Sequence, residues 1–257
     1  MIKLIPLFSG SKGNCALVQT DNCNILLDAG YQYRQILSRL DELDLSLKDI
    51  GAIVITHEHG DHVSALSRLA KSNNIAVYAP SACCGYLQNK FSYNNVTPFT
   101  DKLEIADVVI EQYLCSHDAL ACCGYKFTCN NESVASVTDT GCVTASLTEF
   151  LAPCKGIMLE SNHDVNMLQQ GNYSYVLKKR ILSNFGHLSN DQTAQVIMSL
   201  KGSHVKQIAL AHLSEQNNTK EIAFNSAVNA LGKVGLVEGK DVKIYVTDQY
   251  VNRIIIC

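Results

Sequence analysis

Three histidines and two carboxylates fall within six positions, His57-Glu58-His59-Gly60-Asp61-His62, directly after the apolar run Ile53-Val54-Ile55 and Thr56. Neutral imidazole and carboxylate are ligands that suit zinc, manganese or iron. His57 and His59 stand two apart, so extended or turning backbone lets both grip one ion. Asp61 and His62 follow at the turn into a helix expected over 63–71 and face a neighbouring position. A surface loop can collect histidines by chance, but three at the end of a buried strand point to a metal site.

The elements that must position this cluster share one pattern: an apolar strand that ends on a polar residue and then turns. Strands read over 24–27, 50–55, 103–115, 133–138, 156–159 and 207–211 deliver Asp28, His57, His117, Asp139, His163 and His212. Residues just past strand ends collect at the edge of layered α/β folds, where active sites sit. Two loosely similar halves, each with an Asp-x-Gly, predict two sheets packed face to face with helices outside. Pro6 suits an edge strand in the first run, and residues 9–14 read as its hairpin turn. Residues 89–97 read as a loop. Helices are expected over 31–40, 81–88, 190–200 and 219–231, with Ser189 or Asn190 as a cap. Asp28 fits either a helix cap or a functional carboxylate. Strands over 242–247 and 253–256 close the chain. No low-complexity linker separates the halves, so the 257 residues are expected to form a single domain.

Bulk properties narrow the classes. Net charge is −3, so no global basic field draws a polyanion, and a nucleic acid must find a local patch. Eleven cysteines, an odd number that includes the adjacent Cys83-Cys84 and Cys122-Cys123 but no C-x-x-C pair, read as buried apolar side chains in a reducing cytoplasm. The apolar run 2–8 is too short for a signal peptide, and no stretch is expected to span a bilayer.

The His-x-His-x-Asp-His spacing resembles the metallo-β-lactamase superfamily. The resemblance implies a four-layer αββα sandwich, an α/β arrangement of two mixed sheets around two divalent ions, zinc first and manganese as the alternative. Carried over residue by residue, it gives His57 and His59 to the first ion, Asp61 and His62 to the second, Asp139 as the bridge and His212 as the last ligand. Asp28 would orient the histidines without ligating. His117 has the expected chain order for the third ligand of the first ion; His163 is the alternative, or with Asn162 touches substrate. His204 carries no assignment. Oxygen-reducing diiron relatives carry a glutamate where this chain has His59, which favours hydrolysis. Two ions roughly 3.5–4 Å apart can hold a hydroxide and clamp an oxyanion, with Asp61 serving catalysis as well as coordination.

The bond cleaved is read from Gly186-His187-Leu188-Ser189-Asn190, which opens a helix just upstream of His212. Phosphodiesterase members such as RNase Z carry a similar element, and His187 is the expected catalytic group there. The motifs at 7–15, 56–62, 116–119, 138–141, 160–164, 179–190 and 212–218 together are similar to the YycJ/WalJ branch. That resemblance implies a 5′–3′ exonuclease acting on DNA, with a link to repair. Ser11, Asn14, Lys179 and Arg180 are the candidate phosphate contacts. The interval between Asp139 and His212 leaves no room for an inserted cap domain, and with no tryptophan in the chain stacking falls to tyrosines such as Tyr31, Tyr33 or Tyr173. A thioester or lactone hydrolase and a metal-binding regulatory protein without turnover are the competing classes.

Overall fold

Alternation along each strand decides which layer its side chains meet. In β4 (Ala52–Val54), Ile53 packs into one core and Val54 into another. In β12 (Gln207–Ala211), Ile208 and Leu210 turn one way and Ala209 and Ala211 the other. A strand apolar on both faces must be covered on both, which two sheets stacked between helices achieve. The computed structural model describes residues 1–250, 252 and 254–257, and it has this architecture.

The first sheet runs in chain order: β1 (Lys3–Phe8), β2 (Cys15–Gln19), β3 (Asn24–Leu27), β4, β5 (Ala76–Pro80) and β6 (Val96–Phe99). The second has the order β13 (Lys243–Val246), β12, β11 (Gly156–Glu160), β10 (Glu132–Val137), β9 (Cys122–Cys129), β8 (Val108–Cys115) and β7 (Lys102–Ile105). Both are mixed: β1 to β3 and β7 to β10 pair antiparallel, the remainder parallel. Pro6 lies on β1, an edge strand, beside a register shift.

Three cores separate the layers. Ile36 of α1 (Tyr33–Asp41), Leu69 of α3 (Leu66–Asn73) and Leu87 of α4 (Ser81–Phe91) pack on the outer face of the first sheet. Leu147 of α5 (Ala145–Leu151), Val196 of α8 (Asn190–Ser199) and Leu231 of α9 (Lys220–Lys233) pack on the outer face of the second. Between the sheets lie Val18, Ile25, Tyr125, Phe127, Val134 and Met158. The result is the four-layer αββα sandwich. Among the described residues no helix is long and apolar enough to cross a membrane.

Several elements differ from expectation. The segment over 89–97 is not all loop, because buried Val96 and Phe99 draw its end into β6. The single strand over 103–115 is a hairpin, turned at Ala106 with φ 52°. The helix expected over 63–71 divides into α2 (Gly60–Val63) and α3. The short helices α5, α6 (Val165–Gln170) and α7 (Tyr175–Ile181) were not anticipated, and the side chains of Thr144, Asp164 and Ser174 cap them. Ser189 caps α8 in a reciprocal pair with Gln192. Of the strand expected over 253–256, Arg253 lies outside the described residues, and Ile256 makes one antiparallel bridge to Leu4.

Candidate metal centre

The site opens where the strand ends of both sheets meet. Three of its residues, Asp28, Asp139 and His212, have φ of 62°, 57° and 57°. Left-handed backbone is uncommon for side-chain-bearing residues and costs of order 1–3 kcal/mol unless the surroundings enforce it. Here it lets a strand stop and aim its terminal side chain inward. The two Asp-x-Gly repeats have a steric reason as well. A Cβ on Gly30 would lie 1.6 Å from the Asp61 carbonyl oxygen, and one on Gly141 would lie 2.4 Å from Asn184 backbone atoms.

Asp28 is not a helix cap. Its carboxylate accepts the Thr56 amide at 2.8 Å and lies 2.8 Å from His62 Nδ1. That bond assigns the Nδ1 proton of His62 and turns Nε2 toward Asp139 Oδ2, 3.4 Å away. The Thr56 hydroxyl lies 3.0 Å from His57 Nδ1 and 3.1 Å from His62 Nδ1, so one side chain orients two imidazoles. His117 Nδ1 donates to the Gly186 carbonyl at 3.0 Å.

Ligand atoms then converge in overlapping groups, each with its atoms within 4.8 Å of one another. His57, His59 and His117 form one; His57, His62 and Asp139 a second; Asp61, His62 and His212 a third. His57 Nε2, Asp139 Oδ2 and His212 Nε2 are buried without a hydrogen-bond partner among the described residues. Leaving a buried polar atom unpaired costs about 1–3 kcal/mol. Buried, unpartnered donor atoms in each of these groups fit divalent cations, and the donor set suits zinc or manganese. His163 joins none of the groups. It is 1 % exposed, and both its ring nitrogens lack partners.

Electrostatics follow from the crowding. Burial and the neighbouring His62 hold the His57 imidazole well below its ordinary range, so it stays neutral and able to ligate. Burial likewise lowers His117. For Asp61, burial is outweighed by His62 and His212, which hold the carboxyl well below the usual range. His212 is likewise buried, but Asp139, Asp61 and Glu160 carry it up to about 10.

Glu160 was not singled out from sequence and is central to the site. Fully buried at the end of β11, it accepts His187 Nδ1 at 2.8 Å and His212 Nδ1 at 3.0 Å on the same oxygen. The Thr140 and Leu188 amides hold its second oxygen at 3.0 and 3.1 Å. Against burial, His187 brings its pKa down to about 2. The available signal was a carboxylate closing an apolar strand, the pattern that marked Asp28 and Asp139. Glu58, also in the cluster, accepts the Leu120 amide at 2.8 Å and a Cys83 thiol at 3.2 Å, anchoring the segment after His117.

A cavity of about 210 Å³ opens over these groups, lined by Ser11, His59, Asp61, His117, Asp139, Asn162, Arg180, His187 and His212 among others. Asn162 also donates to the His212 carbonyl at 2.9 Å. Ser11 and Arg180, two of the expected phosphate contacts, line this cavity, and Arg180 is held by both oxygens of Asp118. Asn14 and Lys179 stand elsewhere. Asn14 sits behind the cavity, accepting the Gly10 amide at 2.9 Å and reaching His62 Nε2 at 3.1 Å. Lys179 is outside it, its ammonium 5.9 Å from the Tyr175 ring centre. All eleven cysteines are free thiols, nine of them buried.

Sandwich, strand-end donor groups and cavity define a metallo-β-lactamase-fold hydrolase. The family model described as "Beta-lactamase superfamily domain" matches residues 23–212, and the chain belongs to this superfamily. The metallo-β-lactamase fold protein YhfI from Bacillus subtilis superposes with TM-score 0.74 at 14% identity, covering 98% of each chain. Within the superfamily the chain is a YycJ/WalJ-like protein. It is 36% identical to exodeoxyribonuclease WalJ of Streptococcus pneumoniae serotype 2 (strain D39 / NCTC 7466), over 94% of this chain and 92% of that one. It is 34% identical to exodeoxyribonuclease YycJ of Bacillus anthracis, over 94% of each.

Proposed function

We propose that the protein is an exodeoxyribonuclease, a phosphodiesterase that holds two divalent ions, zinc or manganese, and acts in the cytoplasm as a single domain. His57, His59 and His117 would hold the first ion, and Asp61, His62 and His212 the second, with Asp139 between them. The observation that carries this reading is the set of buried, unpartnered atoms His57 Nε2, Asp139 Oδ2 and His212 Nε2, beside a cavity that also holds His187. Bound ions supply a nucleophile at neutral pH and compensate charge at a phosphoryl centre.

The chain's own groups do the rest. His187 donates an Nδ1–H hydrogen bond to Glu160, which orients the ring, and as an imidazolium its Nε2–H would touch a phosphate oxygen or protonate the leaving 3′-oxygen. Arg180, pinned by Asp118, presents a permanent positive charge at the cavity wall. Ser11 and Asn162 offer neutral hydrogen bonds. Such a lining suits a phosphodiester better than an acyl chain, and the likeness to two exodeoxyribonucleases supports the same reading.

End-labelled DNA incubated with purified protein and manganese or zinc is expected to shorten from one end, and chelation should stop it. Full metal occupancy without cleavage of DNA or of bis-p-nitrophenyl phosphate would exclude the reading.

A further inference from the structure

The turn from Gly10 to Asn14 reaches the cavity wall through Ser11. Every other backbone amide in it is engaged. Gly10 donates to Asn14 Oδ1 at 2.9 Å and Lys12 to Gln249 Oε1 at 2.7 Å. Gly13 donates to the Gly10 carbonyl at 3.2 Å and Asn14 to the Asp61 carbonyl at 2.8 Å. The Ser11 amide and hydroxyl have no partner among the described residues. An N–H and an O–H left free on one residue beside a polar cavity can both donate to a single anionic oxygen.

The turn is held from the far end of the chain. Gln249 is 7 % exposed, and its side-chain amide grips the turn as a neighbouring strand would. Its Oε1 accepts the Lys12 amide, and its Nε2 donates to the Gly13 carbonyl at 2.9 Å. Beside it, the Tyr250 hydroxyl accepts the Lys12 ammonium at 2.7 Å and donates to Glu215 at 2.9 Å. Gly10 and Gly13, with φ of 153° and 154°, use backbone that other residues rarely adopt, and such a turn has many alternatives unless something fixes it. A Cβ on Gly10 would lie 2.6 Å from Gln249 Oε1, and one on Gly13 would lie 2.3 Å from the Gly30 carbonyl oxygen. The turn is therefore wedged between Gln249 and the Asp-x-Gly that follows β3.

We propose that Gln249 is a positioning residue. It fixes the Gly10–Asn14 turn so that Ser11 donates from its amide and its hydroxyl to a non-bridging oxygen of the phosphate being cleaved. Ser11 is then a catalytic residue whose backbone matters as well as its side chain, and Gln249 acts through it without touching substrate. This rests on the phosphodiesterase reading and deepens it.

Bis-p-nitrophenyl phosphate, turned over by manganese-loaded protein, tests the assignment. Gln249→Ala is expected to lower kcat roughly ten- to hundred-fold with KM little changed and the metal titration unaltered, because misplaced donors are felt most in the transition state. Ser11→Ala removes only the hydroxyl and should cost less. The double variant should be no slower than Gln249→Ala alone, since the residue that Gln249 positions has already lost its place. Losses that multiply in the double variant overturn the proposal. A Gln249→Ala protein with wild-type kcat and lowered thermal stability also overturns it, leaving Gln249 a purely structural role. So does a loss that excess metal restores, which would route the effect through Asn14 to Asp61 and His62. Gln249→Glu keeps the acceptor for Lys12 and loses the donor to Gly13, so its kcat should fall between wild type and Gln249→Ala. If Gln249→Ala does not keep its native circular dichroism, a wild-type kcat in Gln249→Glu overturns the proposal. Each of these results leaves the phosphodiesterase reading intact. Wild-type protein that cleaves neither this ester nor DNA overturns that reading and this assignment with it.

Discussion

His187 and His212 meet on one oxygen atom: Glu160 Oε1 lies 2.8 Å from Nδ1 of the first and 3.0 Å from Nδ1 of the second. The shared acceptor orients both rings at once and couples a residue of the cavity lining to a candidate ligand. Glu160→Gln keeps the shape but removes the charge and leaves one acceptor oxygen for the four donors that the carboxylate serves. We expect a ten- to hundred-fold loss of activity with reduced metal affinity, the range for residues that orient ligands. Unchanged metal titration and unchanged turnover would show that the shared bond is incidental.

Asp139→Ala removes the carboxylate that faces His62, His117, His187 and His212. Hydrolysis should be abolished and metal stoichiometry should fall while the far-ultraviolet circular dichroism stays native. Near wild-type turnover would refute its place between the ions.

His117 and His163 are expected to part company. His117→Ala should lower metal content, whereas His163→Leu should retain metals and activity. Burial takes His163 down to about 4 from an ordinary value of 6.5. The unfolded chain therefore gains a proton near pH 6.5 that the folded chain refuses until about pH 4. Stability present above pH 6.5 is lost through that window, by about 3 kcal/mol for this group alone. His163→Leu should flatten that acid limb in denaturation measured from pH 7 to 4. A variant as acid-sensitive as the wild type would count against it.

His187→Ala should keep both metals and its thermal stability while losing roughly a hundred-fold or more on DNA. The loss should be smaller for a p-nitrophenyl ester, whose leaving group needs less protonation. Equal losses would restrict His187 to clamping phosphate.

Much of this site was legible because a metal centre leaves its donors at strand ends, where hydropathy changes abruptly. His57, Asp139 and His212 announce themselves in that way. Glu160 ends a strand too, but its neighbour His163 is the chemically conspicuous residue of that stretch, and it is buried outside the donor groups. Asn14 is expected from the sequence as a phosphate contact in the hairpin turn; its partners in the structure, Asp61 and His62, are distant in the chain, and only the folded hairpin brings them together. Helix α7 escaped notice because seven residues are too few for a clear period and its cap at Ser174 is a common residue. The layered architecture was easier to read, since continuous apolar strands demand cover on both faces.

Candidate donors come from both sheets: His57 follows β4 in the first and Asp139 follows β10 in the second. An ion held there is a reversible cross-link between distant parts of the chain, and it restricts the unfolded ensemble much as a disulfide would. Protease resistance should therefore rise and fall with metal loading, independently of any substrate. A nicked chain, cut in the exposed loop near Gly202, should hold together with metal and come apart on chelation.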